Sequence, residues 1–177
     1  MGSEVPASLW LVESYLNSLD VESDLDDLRT VESFRRWLGD HGRRDAAATA
    51  TGADLDLARE LRAELRDVLH AHGEGRPGGS ARLDELAAGI PLRTRFAGGA
   101  IGLAPLGTGV PGMLGEILAA ITIADREGTW HRLKLCRENT CAVVFYDRSK
   151  NASRCWCSMK VCGNRAKTRA YRGRQRG

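Results

Sequence analysis

Leu135 to Gly177 reads LCRENTCAVVFYDRSKNASRCWCSMKVCGNRAKTRAYRGRQRG, and all five cysteines of the 177-residue chain lie in it: Cys136, Cys141, Cys155, Cys157 and Cys162. Clustered cysteines in a reducing compartment point to a metal rather than to disulfides, and an odd count argues against a complete disulfide framework. A structural zinc takes four soft or borderline ligands in a tetrahedron, so two pairs must approach from different pieces of chain. Cys136-x4-Cys141 supplies one pair and Cys157-x4-Cys162 mirrors it, with fifteen residues between them. Ser158 is placed to cap a helix from Met159, which sets Cys157 just before the helix and Cys162 in its first turn. There the positive end of the helix dipole favours thiolates. Cys155 can stand in for Cys157 as a ligand, or remain a free thiol open to oxidation. The competing readings are iron in place of zinc, or reduced cysteines buried in a small core.

Between the pairs, residues 142–154 read as a short strand (Val143 to Tyr146), a polar turn and a return. Knuckle, hairpin and a helix carrying the last two ligands make a treble-clef-like finger. Four closed ligands leave no open position for catalysis. Trp156 reads as a plug for this small core rather than a base-stacking platform.

Downstream of the cysteines, Arg165, Arg169, Arg172 and Arg176 recur at steps of four, three and four, a stripe on one helix face, with Lys167 and Arg174 flanking it. Ala166, Ala170 and Tyr171 are placed to pack toward the finger. From His131 to Gly177 there are 13 Lys+Arg against 2 Asp+Glu, +11; residues 1–130 carry 13 against 21, −8; the whole is +3. Such segregation marks an end that meets a polyanion, joined to a body that does something else. Arginines in a row suit phosphates, which give affinity and salt dependence but no base specificity.

The first 130 residues read as mainly helical. Leu9, Val12, Leu16 and Leu19 predict a helix over 8–19, followed by an acidic link from Asp20 to Asp27. Thr30 caps a helix over 31–39 with Phe34, Trp37 and Leu38 inward. Residues 39–53 read as a loop, or as helix ends with a loop between them. A long helix over 54–72 buries Leu57, Leu61, Leu65, Val68 and Leu69 and turns Arg59, Glu60, Arg62, Glu64 and Arg66 elsewhere. Ser80 caps a short helix that stops at Gly89. Residues 92–103 alternate around Gly98-Gly99, a β-hairpin. A helix over 112–126 follows.

Gly107, Gly109 and Gly112 fit G-x-G-x-x-G, but no βαβ unit surrounds them, so a connector is the better reading than a dinucleotide site. His70 and His72 do not share a helix face. His131 is ordinary surface rather than a spare ligand. No pair of residues nominates a catalytic site, so the chain is not read as an enzyme. No apolar run reaches a membrane span, and no secretory signal is evident, which makes the cytoplasm the default.

The run Phe145-Tyr146-Asp147-Arg148-Ser149-Lys150-Asn151, then Trp156-Cys157-Ser158-Met159, then Cys162-Gly163-Asn164-Arg165-Ala166-Lys167 resembles the CGNR zinc finger. The body is similar in layout to the ABATE domain that usually precedes it, with an N-terminal helix carrying an Asn-Ser-Leu piece, a Trp-Leu helix, a long Leu/Arg helix and a Pro-Leu-Arg hairpin start. The resemblance implies a bacterial, stress-induced transcriptional regulator, with one structural Zn2+ on Cys136, Cys141, Cys157 and Cys162. It departs at Cys155, where a basic residue is usual.

The fold expected is therefore mainly α: a multihelical domain with one β-hairpin over 1–129, then a treble-clef-like zinc finger with a basic helix over 130–177. DNA is the expected partner of Arg165, Lys167, Arg169, Arg172, Arg174 and Arg176. The alternative is a module that binds RNA or protein without operator specificity. A homodimer and a small-molecule effector of the body are further expectations, without an identified ligand.

Overall fold

α4 (Gly52–Gly73) is the axis of the molecule. Thr51 and Asp54 exchange the reciprocal hydrogen bonds of a capping box, which starts the helix two residues before the expected Asp54. Its buried face holds Leu61, Leu65, Val68 and Leu69, as the periodicity predicts, and Leu55 and Ala58, while the expected Leu57 is only partly buried; the same face also holds Arg62 and Arg66, which are only 5% and 8% exposed. The sequence pattern alone places these two arginines outside. They lie four and eight residues after Ala58, on the core face, and their buried guanidiniums are held by acceptors on other elements.

The computed structural model describes residues 5–175. A short 3-10 turn leads into α1 (Trp10–Leu16). That helix stops before Asn17, short of the expected Leu19: Ser18 Oγ donates back to Tyr15 O, a local bond that competes with helix continuation, and the Asn17 side-chain amide is taken by Val144 of the finger. The acidic link is a miniature hairpin, β1 (Leu19–Asp20) with β2 (Leu25–Asp26). α2 (Val31–Asp40) is capped by Thr30 and buries Phe34, Trp37 and Leu38. The expected loop after it contains a further helix, α3 (Arg44–Thr49). α5 (Ala81–Ala88) starts where Ser80 accepts from the Leu83 amide.

β3 (Leu92–Ala97) and β4 (Ala100–Pro105) form the predicted hairpin, with Leu92 opposite Pro105 and Phe96 opposite Ile101. Its turn is Gly98-Gly99, at φ 58° and 80°, the pair of left-handed conformations that a two-residue hairpin turn requires. α6 (Gly109–Arg126) begins inside the glycine motif. Pro111 is tolerated because the first-turn N–H it lacks would have no helical partner. A side chain at Gly112 would meet the Gly107 carbonyl at 2.8 Å, and one at Gly115 would meet Pro105 at 2.8 Å. These glycines let α6 lie against its own approach and against β4.

Seven α-helices among the described residues make the fold mainly α. The C-terminal finger contributes to the main core: Trp130, Leu133, Val144 and Tyr146 are buried with Leu16, Phe34, Leu61, Leu114 and Ile117 in one cluster.

Candidate metal centre and nucleic-acid face

β5 (Leu133–Leu135) and β6 (Val144–Tyr146) pair antiparallel, Leu133 with Tyr146 and Leu135 with Val144. The strand after the knuckle therefore pairs backwards, across the cysteine loop. It does not pair with a return strand over 147–154. That later segment is instead built around Asp147, whose buried carboxylate accepts from Lys134 Nζ at 2.8 Å, from the Ser149 amide at 2.9 Å and from the Arg154 amide at 2.8 Å. Arg132 takes the Asp147 and Ser149 carbonyls. Side chains thus satisfy backbone groups that a ladder would otherwise use. Burial by itself would raise the Asp147 carboxyl; the bonds from Lys134, Ser149 and Arg154 outweigh it and hold the group far below the usual carboxylate range.

The knuckle is the turn between the β5 and β6 ends. Cys136 N–H donates to Val143 O at 2.8 Å, and the Cys141 and Ala142 amides converge on Glu138 O at 2.8 and 3.1 Å. Ala142 sits at φ 49°, a costly conformation for alanine. Arg66 secures it by donating to Ala142 O at 2.8 Å while its other nitrogen takes Leu16 O at 2.6 Å. Asn17 adds a second bolt. Its amide donates to Val144 O and accepts from Val144 N–H, both at 2.8 Å, extending the β5–β6 sheet by one side chain.

On the other side, Ser158 accepts from the Val161 amide and Gly163 N–H reaches back to Ser158 O, closing a wide turn over Met159–Gly163 that runs straight into α7 (Asn164–Arg174). Gly163 is buried, and a side chain there would strike the Met159 thioether. The close approach that this glycine permits is thus Met159 folding over the turn.

These two pieces bring Cys136, Cys141, Cys157 and Cys162 together, with all four sulfurs within 4.8 Å of one another. Cys141 Sγ and Cys157 Sγ are 3.6 Å apart, and Cys157 Sγ and Cys162 Sγ 3.7 Å. Disulfide sulfurs stand about 2.05 Å apart. Four thiolates at about 2.3 Å from one tetrahedral zinc stand about 3.8 Å from each other, so the spacing and the donor set both fit that ion. Burial, then the neighbouring Cys141 thiol, pushes the Cys162 thiol up to about 11, and the same causes push Cys157 higher. The nest is hostile to thiolates unless a divalent cation compensates them, which is what zinc supplies. Cys136, Cys141 and Cys162 are buried with Phe145 in a small second core, against which Trp156 and Val143 pack.

Cys155 lies outside the cluster. Its carbonyl accepts from the Arg137 amide at 3.0 Å, which ties the second ligand loop to the knuckle, and its half-buried thiol turns to Ser153 O at 3.6 Å. His131 and the His70–His72 pair stand apart from the metal cluster as well.

Residues 6–124 match the family model ABATE, described as a putative stress-induced transcription regulator, and residues 132–175 match the CGNR zinc finger. The chain belongs to the ABATE family. It carries a CGNR finger with a site for one structural zinc ion. No curated protein sequence matches it significantly.

The CGNR finger presents α7 to solvent. None of the helix's residues is buried; Ala170 and Tyr171 point outward rather than packing on the finger, and Gln175 donates to the Tyr171 hydroxyl. The arginine stripe is not uniform. Arg165 is 2.8 Å from Glu22 of the ABATE body, and Arg169 makes two bonds to Glu138 of the knuckle. Lys167, Arg172 and Arg174 are exposed and form no ion pair among the described residues. Arg176 lies outside the described residues.

Sequence reasoning missed Asn17, Glu22, Arg66 and Glu138. Only Asn17 had a signal, the Asn-Ser-Leu piece behind the first helix.

Proposed function

We propose that this protein is a DNA-binding transcriptional regulator acting in the cytoplasm, in which the zinc-tied finger offers α7 to duplex phosphates. The observation that carries this reading is α7 itself. Its eleven residues bear Lys167, Arg172 and Arg174 without acidic partners, on a helix that begins where Cys162 meets the metal. Positive charge on a solvent-facing helix supplies phosphate contacts and a steep salt dependence.

The ABATE body is the sensing or dimerising part. An open cleft between α3 and the start of α6, lined by Arg43, Arg44, Thr108 and Glu116, supports a ligand-responsive role. The two buried carboxylates of the finger, Glu138 and Asp147, are each held by cations and by further donors, which supports a structural rather than a chemical use. No helix among the described residues is long and apolar enough to cross a membrane.

The test is selection of genomic fragments by the zinc-loaded protein, with Cys162→Ser as control. Enrichment of one motif, lost in the control, supports an operator-binding regulator. Equal capture of RNA and DNA without a motif turns the reading to a general polyanion module, and no capture of either overturns it.

A further inference from the structure

Arg165, the first member of the α7 stripe, is already occupied by a carboxylate from the other half of the chain. Its Nη2 lies 2.8 Å from Glu22 Oε1, with the two side chains 43% and 46% exposed. Glu22 stands in the turn between β1 and β2, and that turn is a built object. Asp20 Oδ1 accepts from the amides of Glu22 and Ser23 at 2.9 and 3.2 Å, Asp24 takes the left-handed conformation at φ 52°, and Leu19 and Asp20 pair with Asp26 and Leu25. The segment 20–27 holds Asp20, Glu22, Asp24, Asp26 and Asp27 and no basic residue.

The foot of the turn is bolted to α4. Arg62 grips Asp26 with two bonds at 2.7 and 2.8 Å and takes Ser18 Oγ at 2.8 Å. One helical turn along, Arg66 holds the knuckle at Ala142 O. The same helix thus sets the position of the acidic turn and the position of the knuckle from which α7 is clamped. Glu22 meets Arg165 because α4 places both ends of the contact.

We propose that the β1–β2 turn is an autoinhibitory latch, in which Glu22 occupies Arg165 in place of a nucleic-acid phosphate and is displaced when α7 engages its ligand. The inference rests on the reading of α7 as a nucleic-acid face and adds its regulation. A carboxylate and a phosphate compete for the same guanidinium fork. An exposed ion pair is weak, so the latch sets affinity by a modest factor rather than blocking binding. It also gives the ABATE body a physical route to the finger: a change that loosens Asp26 from Arg62, with the Arg66 bond to Ala142 O intact, moves Glu22 relative to Arg165.

The experiment is fluorescence anisotropy of the full-length, zinc-loaded protein with a labelled duplex of about 20 base pairs at low salt. Glu22→Gln is expected to bind about two- to five-fold tighter than the native chain, the range an exposed ion pair commands. Asp24→Asn is the control for net charge. It removes the same charge from the same turn, asparagine accepts the left-handed backbone, and Asp24 does not touch α7. It is expected to change affinity by less than Glu22→Gln does. In an Arg165→Ala background the Glu22→Gln gain is expected to vanish. A gain equal to that of Asp24→Asn, or one that persists without Arg165, overturns the latch and leaves the nucleic-acid reading standing. DNA binding unaffected by Glu22→Gln does the same. No DNA binding by any of the proteins overturns both.

Discussion

Arg169 and Glu138 form a two-pronged ion pair, Nη1 to Oε1 at 2.9 Å and Nη2 to Oε2 at 2.7 Å, between the exposed helix α7 and a fully buried carboxylate in the zinc knuckle. The hydrogen bonds from Arg169, with Thr140 beside them, hold the Glu138 carboxyl below its ordinary range even though burial opposes it. α7 is therefore fastened to the metal site twice: by the chain, through Cys162, and by this pair about two helical turns further along. Glu138→Gln is expected to keep one zinc per chain while amide exchange across 164–174 rises. Unchanged protection of α7 in a zinc-loaded variant would show that the chain connection alone orders the helix.

The four-sulfur cluster separates the cysteines into two classes. Serine at 136, 141, 157 or 162 is expected to abolish stoichiometric zinc, read by native mass spectrometry. Cys155→Ser is expected to keep it. Chelation of the native protein is expected to lower Tm by about 10 °C, the scale of a few kcal/mol for a chain of this size. Loss of zinc in Cys155→Ser would place that thiol among the ligands after all.

Asn17 and Arg66 carry the body-to-finger connection through backbone groups on either side of Val143. Asn17→Ala leaves the Val144 amide and carbonyl without their partner and is expected to cost about 2 kcal/mol; Arg66→Met strands the Leu16 and Ala142 carbonyls and is expected to cost about 3 kcal/mol. Urea denaturation measures both. One cooperative transition, shifted to lower urea, is expected for each, because Leu133, Val144 and Tyr146 belong to the body's core. A separate early finger transition in the native chain would show that the two parts fold independently.

Asp147 predicts an acid-sensitive contribution. Its folded-state carboxyl titrates below the unfolded value, so its stabilisation is fully present above about pH 4–5 and is lost as pH falls through the unfolded and then the folded pKa. The Tm gap between the native chain and Asp147→Asn is expected to be widest near about pH 6 and to shrink toward about pH 3. Comparing the two proteins at each pH cancels the release of zinc in acid, which both share. A gap that stays constant over that range would remove Asp147 ionisation from the account.

If α7 meets phosphates, its unpaired cations set the salt dependence. Alanine at Lys167, Arg172 and Arg174 together is expected to flatten the slope of log K against log salt by about 2–3, since each phosphate left unneutralised takes about 0.9 from it. A parallel line at lower affinity would mean that these residues act through folding and not by pairing with phosphates.

What the sequence determined by itself was local. Thr30, Ser80 and Ser158 cap helices where their hydroxyls predict, the long Leu stripe buries one face of α4, Gly98-Gly99 turns a hairpin, and the spacing of cysteines and arginines separates metal ligands from a basic helix. Each of these depends on neighbours within a few residues, so periodicity and spacing carry the information. Tertiary structure decided the rest. β6 pairs with β5 rather than with a return strand because Asp147 and Lys134 satisfy the segment after it. Arg62 and Arg66 turn inward because Asp26, Leu16 and Ala142 supply acceptors from distant parts of the chain. Arg165 and Arg169 look identical to Arg172 in the sequence; they differ only because folding brings Glu22 and Glu138 beside them. A charged side chain finds its partner through space, and sequence spacing along one helix cannot reveal a carboxylate that stands far off in the chain on another element.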